Sequence, residues 1–208
     1  MPATPAYDFT QDWFSKHVPV WNKLLPSFAP RKYLEIGSYE GRSACYIIDR
    51  FSADASLDIH CIDTWEGGVE HGKVAMGDVE RRFDANIALA RQSAKHPAHV
   101  TKHKKRSHVA LAELMTTGHA LSFDVVYIDG SHQAPDVLAD AVLSFPLLRV
   151  DGLMIFDDYL WSEDRAGKQD AFGMPKPAID AFLNIYQRKM LIAENAPLSQ
   201  LYVKKNAA

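Results

Sequence analysis

The sequence predicts an α/β chain: a doubly wound, mostly parallel seven-stranded sheet that closes in an antiparallel C-terminal hairpin. Three observations predict it. From residue 32 onward, short apolar runs of strand character alternate with helical patterns, the order that builds parallel sheets through helical crossovers. The run Phe123 to Ile128 is almost continuously apolar, as in strands buried on both faces. The last two strand patterns, Met190 to Ala193 and Gln200 to Val203, are joined by a connection too short for a parallel crossover, so they must run antiparallel.

Residues 1–30 form an amphipathic helical lead-in, with Trp13, Phe14, Trp21, Leu24 and Leu25 on roughly helical spacing. Pro19 breaks this segment or starts its second helix, because it has no N–H to donate, and Pro26 and Pro30 close it. The lead-in covers the sheet, or else serves as a lid or a dimer surface. Residues 31–208 form one domain. Strand one spans Lys32 to Ile36, and a helix runs from Ser43 to Phe51. Strand two spans Leu57 to Ile62 and ends in Asp63. The polar stretch Thr64 to Val79, with Gly67, Gly68, Gly72 and Gly77, reads as a mobile lid or a plain surface loop. Next come a helix over Glu80 to Ser93, a short strand over Val100 to His103 and a helix over Val109 to Met115. Phe123 to Ile128 is strand four, Val137 to Leu148 a helix, Gly152 to Phe156 strand five, and Lys176 to Lys189 the last helix before the hairpin.

A chain of 208 residues with 47% hydrophobic content can bury one sizeable core. Its formal net charge of −3 supplies no strong field toward nucleic acid or anionic lipid. The one dense basic run, Lys102 to Arg106, reads as a solvated strand edge, with RNA binding as the alternative. Cys45 and Cys61 read as small buried apolar residues without metal-ligand spacing, which suits a reduced, cytoplasmic setting. No apolar run approaches the roughly 20 residues that span a bilayer, and no secretion signal is visible.

Chemistry concentrates where strands end. In Leu34-Glu35-Ile36-Gly37-Ser38-Tyr39-Glu40-Gly41-Arg42-Ser43, an apolar strand ends in an acid, two glycines follow, and a helix begins. Such a strand-to-helix turn brings backbone amides close to a ligand. Gly37 supplies a backbone shape barred to other residues, and Gly41 removes a side chain where a ligand would lie. The pattern E-x-G-x-x-x-G is not the dinucleotide fingerprint G-x-G-x-x-G. Strand two ends in Asp63-Thr64-Trp65, where an acid can accept from both ribose hydroxyls and Trp65 either meets adenine or packs the loop. Strand four ends in Asp129-Gly130-Ser131-His132, and strand five in Asp157-Asp158-Tyr159. Glu35, Asp63, Asp129, Asp157 and Asp158 thus share one edge of an apolar sheet. They repel one another, so a cation or protons must compensate. Carboxylates of Asp129, Asp157 and Asp158 suit a hard divalent cation such as Mg²⁺, or else they cap the following segments. His132 is placed to take a proton from an acceptor hydroxyl.

Together these segments resemble the class I S-adenosylmethionine-dependent methyltransferases, specifically methyltransferase domain family 24, with macrolide sugar and catechol-type O-methyltransferases as relatives. The resemblance covers about residues 30 to 205 and implies the Rossmann-like methyltransferase fold. It implies that Glu35, Gly37, Ser38 and Gly41 form the turn holding the methionine part of S-adenosylmethionine (SAM), with Ser43 a further candidate cofactor contact. It also implies that Asp63 holds the ribose and that Ser107 approaches adenine; Trp65 and Asp129 are further candidate cofactor contacts. Metal-dependent relatives place an Asp after strand four and an Asp-Asn pair after strand five; here these positions are Asp129, Asp157 and Asp158, the last an Asp in place of Asn. A catalytic Lys in those relatives falls at His132. The expected activity is metal-assisted methyl transfer to a hydroxyl of a small acceptor, by Asp129 and His132. The alternatives are a non-catalytic cofactor-binding protein acting through a partner and an NAD-type oxidoreductase. Nucleic acid as acceptor rests only on residues 102–106, and the aromatic lead-in would suit a homo-oligomer contact.

Overall fold

The computed structural model describes residues 6–68 and 76–208. Its seven strands are β1 (Lys32–Ile36), β2 (Leu57–Asp63), β3 (Ala98–Lys104), β4 (Phe123–Ile128), β5 (Leu148–Phe156), β6 (Met190–Ile192) and β7 (Leu201–Lys205). They lie in the order β3-β2-β1-β4-β5-β7-β6. The first five pair in parallel, and β7 runs antiparallel to both β5 and β6, so it sits between them. The strand order reverses at β1, which pairs with β2 on one side and β4 on the other. A crevice opens at the carboxyl ends of strands at such a switch point.

Six helices cover the sheet: α1 (Val18–Leu24), α2 (Arg42–Phe51), α3 (Val79–Ser93), α4 (Ser107–Thr116), α5 (Ala134–Ser144) and α6 (Pro175–Tyr186). The side-chain period of two splits β1 between two cores. Tyr33 faces α2, α3 and the lead-in, together with Trp21, Ile47, Ile59 and Phe83. Leu34 and Ile36 face α4, α5 and α6, together with Leu111, Val126, Phe156 and Phe182. Helix α2 forms because Ala44, Ile47, Ile48 and Phe51 recur on one face, all buried. Gly41, at φ +80°, starts it, and the space a side chain there would need is filled by the Phe83 ring of α3.

The lead-in begins with a 3-10 turn, Ser15–His17, that runs into α1; Pro19 sits in the first turn of α1, where its missing N–H costs nothing. Trp21 and Leu25 are wholly buried against the sheet, while Trp13 is 51% exposed. Most elements start or end within a few residues of the positions the sequence predicts, and the larger differences lie around α5, β5 and α6. Helix α5 ends at Ser144, and Leu148 opens β5, which is longer than expected. Leu147 and Leu148 are fully buried, and a short apolar run satisfies helix and strand periodicity alike. The last helix ends at Tyr186, with a 3-10 turn over Gln187–Lys189. Of the glycine-bearing stretch read as a mobile lid or a plain surface loop, residues 69–75, including Gly72, lie outside the described residues.

Candidate active site

The glycine turn after β1 is forced by contact with β4. Gly37 has φ +85°, and a Cβ there would stand 1.9 Å from the carbonyl oxygen of Asp129. Gly37 N donates to Ile62 O at 2.8 Å, and Asp129 N donates to Ile36 O at 2.8 Å, so the ends of β1, β2 and β4 are tied together. Asp63 brackets the same turn. Its Oδ2 accepts from the amides of Ser38 (2.9 Å) and Tyr39 (2.8 Å), and its Oδ1 from Trp65 N (2.7 Å).

A cavity of about 850 Å³ opens over these strand ends. Gly37, Asp63, Asp129, His132, Asp157 and Asp158 all reach its wall, as does Ser107 from the start of α4. Glu35, Ser38, Gly41, Ser43 and Trp65 stand behind the wall. Trp65 packs on Phe83, with ring centroids 4.8 Å apart, and its Nε1 donates to Tyr39 O. Glu35 is wholly buried, and its Oε2 accepts from Ser43 Oγ and from Tyr33 OH. Its Oε1 has no partner. Burial pushes its pKa up to about 7, against the pull of the Ser43, Ser38 and Tyr33 hydroxyls.

The acids of strands four and five meet at the cavity floor. Tyr127 OH lies within hydrogen-bond reach of both Asp129 Oδ2 (2.8 Å) and Asp157 Oδ2. One phenol hydrogen cannot serve two carboxylates at once. Burial, then the charges of Asp157 and Asp158, hold Asp129 well above the usual carboxylate range. Asp157 is raised too, first by burial and then by Asp158. His17 Nε2 lies 3.5 Å from Asp157 Oδ1, yet burial depresses the His17 pKa to about 4, so this imidazole is neutral near pH 7 and does not supply the missing positive charge.

Asp157 is engaged elsewhere. Its Oδ2 also accepts from Gln200 Nε2 at 3.0 Å, and its Oδ1 accepts from Asp158 N at 2.7 Å. Gln200 in turn accepts from Trp21 Nε1, so the lead-in is linked to the site through one amide. Among the described residues, the group whose ligand atoms converge within 4.8 Å of one another is Asp129, His132 and Asp158. His132 Nε2 stands 3.1 Å from Asp158 Oδ2, and its ring packs 4.0 Å from that of Trp161. Two carboxylates and an imidazole in this arrangement fit a divalent cation, and they fit an acceptor hydroxyl with a base beside it.

Sequence reasoning missed several residues of the site. Trp13 and Lys16 bring the lead-in to the cavity wall, Trp161 follows β5, and Asp140 comes from α5. The chemistry of the strand ends gave no pointer to them, since each reaches the wall only through tertiary packing. The basic run is largely neutralised. Lys102 pairs with Glu80 and Asp84, Lys104 with Glu80, and Lys105 with Glu113. Cys45 and Cys61 are buried free thiols whose pKa burial raises. Among the described residues, no helix is long and apolar enough to cross a membrane.

Solved structures share this architecture. An O-methyltransferase from Bacillus cereus in complex with S-adenosylhomocysteine (SAH) is 15% identical, with a TM-score of 0.64 over 95% of this chain and 84% of that one. The O-methyltransferase TomG from Streptomyces achromogenes, in complex with SAM, is 16% identical, with a TM-score of 0.63 over 94% and 82%. The MycE methyltransferase of the mycinamycin biosynthetic pathway, in complex with Mg and SAH, is 17% identical with a TM-score of 0.61, over 95% of this chain and 51% of MycE. At these identities the likeness establishes the fold. No match is found among curated protein sequences. The methyltransferase domain profile matches residues 34–159, from the middle of β1 through the acids after β5 and more than half of the chain; the chain belongs to this methyltransferase family, and it is a SAM-dependent methyltransferase.

Proposed function

We propose that the protein transfers the methyl group of SAM to a hydroxyl oxygen of a small-molecule acceptor, assisted by a divalent cation. The observation that carries this reading is the convergence of Asp129, Asp158 and His132 on the cavity floor beside the Gly37 turn. Asp129 and Asp158 would hold the cation, as hard oxygen donors suited to Mg²⁺. Asp157, with both oxygens already accepting, serves as their support. When bound, the cation supplies the positive charge these carboxylates lack and lowers the pKa of a coordinated hydroxyl.

The chain's own residues do the rest. The Gly37 turn and Asp63 seat the methionine and ribose parts of SAM. His132, held by Asp158 and Trp161, takes the proton that the acceptor hydroxyl loses as its oxygen attacks the methyl carbon. Rate enhancement then comes mainly from holding oxygen, methyl carbon and sulfur in line. Residues 31–208 form the catalytic domain in this reading, and the lead-in 1–30 completes the acceptor end of the cavity through Trp13 and Lys16.

The test is calorimetric titration with SAM in the presence of Mg²⁺, followed by transfer of labelled methyl to a panel of hydroxylated and amine acceptors. Micromolar one-site binding and Mg²⁺-dependent labelling of hydroxyls are expected. Labelling of amines alone, or activity indifferent to chelators, would overturn the metal-assisted O-methyl assignment.

A further inference from the structure

Asp140 on α5 lines the cavity although only 2% of the residue is exposed. Its Oδ1 is buried without a hydrogen-bond partner. The carboxylate lies close to the floor, since its Oδ2 would stand 3.6 Å from a Cβ at Gly130. Burial pushes its pKa up to about 7, against a hydrogen bond from the Ser107 side chain at the start of α4, which leaves Oδ1 as the oxygen without a donor. A buried acceptor left without a donor costs about 1–3 kcal/mol. A buried acceptor of this kind calls for an explanation, and at a cavity wall a bound ligand that supplies the donor is one.

We propose that Asp140 accepts a hydrogen bond from the exocyclic amine of the adenine ring of SAM, making it the residue that selects a 6-aminopurine. This rests on the SAM reading given above. The donor inventory of SAM leaves few choices. Its ammonium belongs with the Gly37 turn and its ribose hydroxyls with Asp63, which leaves the adenine amine as the remaining N–H donor. The surroundings of Asp140 suit a flat ring. Ile36 and Ile62 give this part of the wall an apolar surface, and Ser107 sits across from the carboxylate. The connection between β3 and α4 carries no carboxylate over Lys105-Arg106-Ser107-His108, so α5 is the element that supplies the acceptor.

The experiment compares binding of SAH with binding of its 6-deamino analogue, in which hydrogen replaces the amine. It is run by calorimetry on the wild-type chain, Asp140→Asn and Asp140→Leu, with the melting temperature of each ligand-free protein measured alongside. Wild type should prefer SAH by about tenfold or more. Asp140→Leu should bind both ligands within about twofold, and Asp140→Asn, whose amide oxygen still accepts, should keep part of the preference. Ligand-free Asp140→Leu should melt close to wild type, because removal of a buried carboxylate offsets the loss of its Ser107 contact. Equal binding of the two ligands by wild type overturns the proposal, as does an undiminished preference in Asp140→Leu or failure of that variant to fold. Folded wild type that binds neither ligand points instead to failure of the SAM reading itself.

Discussion

Nε2 of His132 lies 3.1 Å from Oδ2 of Asp158. Asp158 holds that position with φ +52°, a left-handed backbone that a non-glycine residue adopts at a cost of about 1 kcal/mol or more. The strained residue turns its carboxylate toward the imidazole, while its neighbour Asp157 points into the Tyr127–Gln200 network. In the proposed mechanism this contact would orient His132 as the base. His132→Ala should lower the rate of methyl transfer by about 10²–10⁴. Affinities for SAM and Mg²⁺ should move by less than about threefold. Single-turnover rates and calorimetry on the same preparation check this. A loss of Mg²⁺ affinity as large as the loss of rate would make His132 a metal ligand.

Asp129 and Asp157 compete for one phenol hydrogen on Tyr127. Burial first, and the charge of neighbouring carboxylates second, raise both pKa values, so protons occupy part of this cluster when no cation is bound. Chelation should therefore suppress methyl transfer by about 10²-fold or more, and added Mg²⁺ should restore it. Asp129→Asn should show the same loss without rescue, while SAH binding changes by about twofold at most. Full turnover in Asp129→Asn would sink the metal mechanism.

The strand ends were legible in the sequence because their pattern is local. An apolar run that stops at an acid and a glycine marks a parallel strand and its turn, and β1 and β4 fall where the sequence predicts them. Asp63, Asp129, Asp157 and Asp158 follow from those boundaries. The direction each side chain takes was not legible. Asp157 and Asp158 are adjacent, and only the backbone twist at Asp158 shows which one faces His132. Gly41 reads as space for a ligand, but the space is taken by Phe83 from another helix. Gln200 is an ordinary polar residue in the sequence and becomes part of the site because β7 lies against β5.

Gly37 is the position where the turn tolerates nothing else. Its φ of +85° disfavours any side chain, and a Cβ would overlap the Asp129 carbonyl at 1.9 Å. That contact is backbone on backbone, so no side-chain rotation relieves it. Gly37→Ala should cost about 3 kcal/mol or more of stability and push Asp129 away from β1. Gly41→Ala should cost less, since its first neighbour is a Phe83 ring atom at 3.0 Å and a ring has room to shift. Urea midpoints of the two variants give the order, and equal costs would contradict it.

Glu35 makes stability depend on pH in a window set by its raised pKa. Its value is about 7 in the folded chain against 4.5 as a free side chain, because burial opposes ionisation. The folded state therefore holds the proton more tightly than the unfolded state does. Below 4.5 both states are protonated and no cost arises. As the pH rises from 4.5 to 7 the unfolded state ionises first, and stability falls. Above 7 the full cost applies, about 3 kcal/mol at 1.36 kcal/mol per pKa unit. Glu35→Gln removes the titration. Its amide oxygen can still accept from Ser43 and Tyr33, and the amide hydrogens it buries at the unpartnered side add only a pH-independent offset. The difference in unfolding free energy between variant and wild type should therefore drift in favour of Glu35→Gln between about pH 5 and 7.5. Subtracting the two curves removes Asp140, which titrates in the same range in both proteins. Parallel curves across that interval would show that Glu35 is ionised in the folded chain throughout.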